Sequence, residues 1–177
     1  MSRPHTIFVS ARLALWQRRI QETAGHLVLP QATTAHAAMM PVLDQLVAVH
    51  NLASGLVSDL RQSADGSLAD GDVGRQYLSQ LASALAHISR AATRLSTVVI
   101  DLAEAHRLTS RPGKTGPVES QPDISREHAA ALRSLKRALQ AVAPPAGTAA
   151  AVPLTAPAIE HRQVPDTGGP HSARRRP

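Results

Sequence analysis

Between positions 78 and 102 the chain carries Leu78, Leu81, Leu85, Ile88, Ala92, Leu95, Val99 and Leu102, alternating steps of three and four without a slip. An α-helix gathers residues at that spacing onto one face, whereas a strand would scatter them over both. The ribbon therefore predicts a helix over about Val73 to Leu108, roughly 54 Å long at 1.5 Å per residue. An apolar face of that length has to be buried against other elements. Ala82, Ser89, Ser96 and Ala103 flank the ribbon on one side, and Tyr77, Ala84, Ala91, Val98 and Ala105 on the other. A two-stranded coiled coil places charges at such positions to select its partner. Uncharged, mostly small residues instead let neighbouring helices approach on both sides, so a bundle of several helices is expected.

Three more helices are legible. From Ile7 to Leu29, the residues Val9, Leu13, Trp16, Ile20, Ala24 and Leu27 form one stripe, which Pro30 ends. A second helix starts near Thr34 or Pro41 and runs to Gln62, with Met39, Leu43, Leu46, His50, Ala53, Val57 and Leu60 as its seam. Gly55 costs this helix up to about 1 kcal/mol relative to Ala and permits a close helix crossing. Two Asp-Gly pairs between Ser63 and Asp72 reverse the chain, which makes the flanking helices antiparallel. The fourth helix runs from about Ser125, as its cap, to Val142, with Leu132, Leu135, Leu139 and Val142 as its apolar edge. The aromatics are limited to Phe8, Trp16 and Tyr77, so the core has to be aliphatic and alanine-rich.

The fold class expected is all-α: an antiparallel bundle of three long helices and a shorter fourth, with a disordered Pro/Ala-rich C-terminal tail. The division is a three-helix core at 1–110, a Pro/Gly linker at 111–123, a basic amphipathic helix at 124–143 and the tail at 144–177. Seven prolines fall in the last 34 residues, and such a segment buries too little apolar surface to offset ordering.

Much chemistry is excluded. With no cysteine, there is no disulfide, thiolate metal site or cysteine nucleophile. No run of 18 apolar residues occurs, and Arg12 interrupts the apolar stretch from Ile7 to Trp16 that a secretory signal would need. A cytoplasmic protein is expected, and the preference for Arg over Lys, with abundant Ala and Pro, points to a high-GC bacterial genome. Nine histidines invite a metal reading, but His36 and His50 stand about 21 Å apart along their helix. Glu22 and His26 form only a single pair. His50 and His106 fall on seam positions, which would bury them and make them pH-sensitive. The loop with Asp65, Asp70 and Asp72 lacks the glycine and glutamate of a calcium loop, since Arg75 and Leu81 stand there. Asp101 and Glu104 read as solvent-facing partners of Arg94 and Arg107. No phosphate loop or nucleophile–base arrangement can be assembled, so no catalytic, cofactor or metal residue is assigned.

What remains is surface. The net charge of +6 is uneven, basic at both ends and mildly acidic in the middle. The first helix has Arg3, Arg12, Arg18 and Arg19 before its first acid, a pattern shared with membrane-surface and targeting helices. Trp16 lies on the apolar stripe, however, which favours a bundle helix. The expected function is that of a non-enzymatic helical adaptor acting through a protein partner, or through self-association along the apolar face of the third helix, as a homodimer. The alternative is a DNA-associated accessory protein. It would bind non-specifically through Arg126, Arg133, Lys136 and Arg137 on the fourth helix and through Arg174, Arg175 and Arg176 at the end of the tail. No aromatic platform for stacking bases accompanies them.

Overall fold

The structure is a computed structural model that describes residues 3–31, 34–109 and 120–143. The tail from position 144, with Arg174, Arg175 and Arg176, and most of the expected linker lie outside the described residues. Among those described there are four α-helices and no strand: α1 (Arg3–His26), α2 (Ala35–Ala64), α3 (Asp72–Thr109) and α4 (Ser120–Ala141). A single 3-10 turn, Ser67–Asp70, joins α2 to α3.

Consecutive helices run antiparallel. Arg12 and Trp16 of α1 meet Asp59 near the end of α2, while Val28, just past α1, meets Gln45 near the middle of α2. Tyr77 at the start of α3 reaches Asp59, and the His106 ring at its end lies tilted against that of His36 at the start of α2. Gln80 of α3 reaches Ala143 just past α4, and Arg94 reaches Glu127 near the start of α4. All four helices contribute to one core of buried aliphatic side chains.

Burial bears out the α3 ribbon but turns it slightly. Leu81, Ile88, Leu95 and Leu102 are buried, while Leu78, Leu85 and Val99 are only half-buried. The missing burial moves to the Tyr77, Ala84, Ala91 and Val98 row. The opposite flank of Ala82, Ser89 and Ala103 stays exposed, so small residues admit a neighbour on one side of the ribbon and not on both. The α1 stripe matches the expected one, with Val9, Leu13, Trp16, Ile20 and Leu27 buried.

On α2 the seam differs by one position. The buried residues are Val42, Gln45, Val49, Leu52, Leu56, Asp59 and Ser63, again in steps of three and four. Three of them are polar, which is why a pattern built on apolar residues locks onto the adjacent row instead. His50 and Val57, expected on the seam, are exposed.

Element ends also differ. Thr34 caps α2, its Oγ1 accepting the Ala37 N–H at 3.2 Å, so the helix starts at the earlier of the two candidates and runs through Pro41. Pro41 is exposed, and solvent can reach the carbonyl that its missing N–H leaves unpaired. Helix α1 stops at His26, short of Pro30, where the Leu27 N–H closes a tighter turn onto Ala24. Helix α4 starts at Ser120, so Ser125 lies within it rather than capping it.

Two glycines are fixed by close approach. A Cβ on Gly55 would stand 3.1 Å from the Trp16 ring, so this glycine lets α1 lie down on α2. A Cβ on Gly74 would stand 1.6 Å from the Leu68 carbonyl oxygen, so any side chain there would drive the 3-10 turn off the start of α3.

Asp59 joins three helices. It is 6% exposed. Its Oδ2 accepts the Trp16 Nε1–H at 2.6 Å and the Tyr77 hydroxyl at 2.8 Å. Its Oδ1 accepts Arg12 Nη2 at 2.8 Å and the Ser63 hydroxyl at 3.4 Å. Burial, followed by the bond to Asp59, raises the Tyr77 phenol well above its ordinary range, which keeps the O–H as a donor. Removing the carboxylate leaves the buried indole and phenol donors without an acceptor, while Arg12, one-third exposed, keeps Gln62 and solvent. Asp59→Ala is therefore expected to cost about 2–5 kcal/mol, and Tyr77→Phe about 1–2 kcal/mol, both measured by urea unfolding of the full chain.

Candidate functional site

Among the described residues the interior holds two polar clusters, and both are occupied by structural bonds. In the first, both oxygens of Asp59 are taken, so it offers no free valence to a substrate. In the second, Gln45 Nε2 donates to the Val28 carbonyl at 2.7 Å, and Gln45 Oε1 lies 2.9 Å from His128 Nε2. The amide oxygen can only accept, so His128 Nε2 carries the proton. This cluster ties the exit of α1 to α2 and α4. Neither Gln45 nor His128 stands out in the sequence, while the two seam histidines expected to be buried are exposed. His106 instead faces His36, with ring centroids 5.1 Å apart. Among the described residues no group of three or more His, Asp or Glu is placed to hold a metal ion. No described helix is long and apolar enough to cross a membrane.

The surface carries the remaining chemistry. Arg133 and Arg137 of α4 face Arg90 and Arg94 of α3 across an open groove of about 500 Å³, floored by Thr93, Ala130 and Ser134. The local cause is in the sequence. Ala84 and Ala91 of α3 and Ala131 and Ala138 of α4 are buried between the helices. These short side chains let the two backbones come close, which leaves their rows of long arginines facing one another. Both arginine pairs are spaced four apart on their helices, where like charges cost about 0.2–0.5 kcal/mol per pair.

The four expected contact residues of α4 therefore separate. Arg133 and Arg137 enter the groove. Arg126 does not, and pairs with Asp123 at 2.8 Å and Glu127 at 3.8 Å. Lys136 is exposed and does not line the groove. The two α3 arginines escape a sequence reading because nothing along α3 marks which neighbour they face.

Arg94 is bonded to Glu127 at 2.8 Å, and not to Asp101 or Glu104. Burial first, then the charges of Asp123, Glu104 and Glu127, raise the Asp101 carboxyl above its ordinary range. At the rim of the groove, Arg90 Nη1 donates to His87 Nδ1 at 3.2 Å. Burial, Arg90 and Arg137 together lower His87 below the ordinary imidazole range.

A third feature is the outer face of α1. Ile7, Phe8 and Leu15 are 68%, 49% and 42% exposed, with the exposed Ala11 and Ala14 between them. The Arg12 guanidinium lies 5.6 Å from the centroid of the Phe8 ring. Comparison with protein-family models, with curated proteins and with solved structures finds no match to this chain.

Burial lowers the His128 pKa, so acid protonates this side chain in the unfolded chain before it does so in the fold. The contribution of His128 is therefore complete above the unfolded value of about 6.5 and is lost as pH falls from there towards the lower folded value. His87, shifted the same way, adds to the slope. Urea unfolding between pH 7.5 and 5 is expected to show falling stability in the native chain, and a shallower fall in His128→Gln.

Proposed function

We propose that the protein is a cytoplasmic, non-enzymatic helical adaptor that binds an acidic-surfaced partner protein through the outer face of α1. The observation that carries this reading is the exposure of Ile7, Phe8 and Leu15 together on one face of a helix whose other face already fills the core. Their exposure does nothing for the fold, and a cluster of large apolar side chains on a finished bundle is a surface for a partner. The charge around it selects the partner's sign. Arg18 and Arg19 are exposed on the same helix, and Glu22 is its one acid.

The same charges argue against a second copy of the chain as occupant. An isologous α1–α1 contact would bring together two helices that each carry four arginines and a single acid, and like charge opposes it. The α3 ribbon, the other surface for self-association, is covered by α2 and α4 within the chain.

Replacing Leu15 with a photo-cross-linking residue in the native host is expected to yield a discrete protein adduct that the same probe at Ser58 does not yield. The purified adduct partner should bind the native chain and lose tenfold or more in affinity to Phe8→Ser. That variant is expected to stay folded at a cost of about 1 kcal/mol, since Phe8 is half exposed and loses only its contact with Arg12. Adducts to lipid alone, or the same adducts from both positions, would remove this reading.

A further inference from the structure

The arginine groove lies on a different pair of helices from the proposed partner face, and the α1 reading makes no use of it. We infer that the groove between α3 and α4 binds a compact phosphate-bearing anion of the diphosphate or oligophosphate class, held by Arg90, Arg94, Arg133 and Arg137.

Charge is the first argument. Glu127 answers Arg94, but among the described residues no ion pair is formed by Arg90, Arg133 or Arg137. Three guanidinium groups thus share one concavity with no carboxylate of their own. Repulsion within each helical pair works against the fold, so the arrangement gains nothing for stability unless an anion fills it. Arg90 already shows the effect of this field, donating to an imidazole at His87 rather than to an acid.

Size and lining choose the class of anion. At about 500 Å³ the groove exceeds a single phosphate and falls in the range of small-molecule sites. Its floor has no aromatic or large aliphatic side chain, so it has nothing to grip a base or an acyl chain. The Thr93 hydroxyl donates to the Ser89 carbonyl and the Ser134 hydroxyl to the Ala130 carbonyl, so neither is left as a donor for the ligand. Recognition falls to the guanidinium forks, whose paired N–H groups match phosphate oxygens two at a time. Four cations around one hollow also suit a compact ligand better than a duplex, whose phosphates are spread along its length.

The test uses the full chain at low ionic strength, titrated separately with pyrophosphate, ADP and a 20-base-pair DNA duplex. Pyrophosphate is expected to bind saturably at one equivalent. Arg90→Gln and Arg133→Gln should each weaken binding tenfold or more, while Arg126→Gln leaves it unchanged. All three positions are exposed, and circular dichroism checks that each variant keeps its helices. Saturation with pyrophosphate should raise the His87 pKa, read from its imidazole resonances, because a bound anion offsets Arg90 and Arg137. ADP should match pyrophosphate if phosphates alone are read.

Several outcomes overturn the inference. These are no pyrophosphate binding, equal weakening by Arg126→Gln and Arg133→Gln, binding of ADP but not pyrophosphate, and duplex binding that pyrophosphate cannot displace. The cross-linking test at Leu15 depends on none of these, so each reading can fail alone.

Discussion

Asp59 lies in the interior where α1, α2 and α3 converge, and it is reached by an indole N–H, a phenol O–H and a guanidinium, one or more from each neighbouring helix. A carboxylate taken out of water is costly unless its lone pairs are filled and a counter-charge is close. Both conditions hold here, but only when the three helices stand at one relative height. Slide α1 by a single turn and the Trp16 and Arg12 bonds are both lost. The cluster is accordingly a device for fixing position more than a source of net stability. Its imperfection is visible at Arg12, whose Nε is buried with no acceptor among the described residues.

Such a device matters in a core of this composition. Aliphatic seams with steps of three and four repeat themselves every seven residues, and Ala, Leu and Val offer little shape to tell one register from the next. Large aromatics often provide that discrimination, but this chain has only Phe8, Trp16 and Tyr77, and Phe8 is half in solvent. The other two place their rings in the core and their polar atoms on Asp59. The Gln45–His128 pair repeats the solution about 21 Å back towards the start of α2, tying α4 and the exit of α1 to the same helix. Helix α2 thus carries both polar anchors, and every other helix is referred to it.

That arrangement explains what could be read from the sequence. The α1 stripe and the α3 ribbon are legible because their core faces are apolar throughout, and the Asp-Gly turn announces the antiparallel pairing. The α2 seam is not legible by the same method, because Gln45, Asp59 and Ser63 occupy it. An apolar template then slides to the row of Leu43, Leu46 and Leu60, which is half-buried, and carries His50 with it. A different signal was present. Trp16 falls on a core stripe and Tyr77 beside another, and each brings a polar atom that requires a partner once buried. Asking which acceptor on the intervening helix could serve both leads to Asp59. The basic α4 face was legible as a row, since Arg133 and Arg137 are four apart. Its counterpart on α3 was not, because which residues face each other across two helices is a property of packing.

The groove and the thinness of the core have one origin. Alanine at 84, 91, 131 and 138 contributes little apolar area, so α3 and α4 can be held together only by coming close. Close approach drives the next row outward on each helix into proximity with its counterpart, and the residues in those rows decide the character of the seam. Towards the start of α4 they are Glu127 and Asp123, with Asp101 opposite, where burial and, after it, these neighbouring carboxylates raise the Asp101 carboxyl. About two to three turns beyond Glu127 along α4 they are Arg133 and Arg137, facing Arg90 and Arg94. Had stability alone shaped the seam, alternating the two signs across it would have served better, as Arg94 and Glu127 do where they meet. The carboxylates gather at one end, where Arg94 and Arg126 pair with them, and the arginines with no ion pair among the described residues gather at the other, which encloses a hollow.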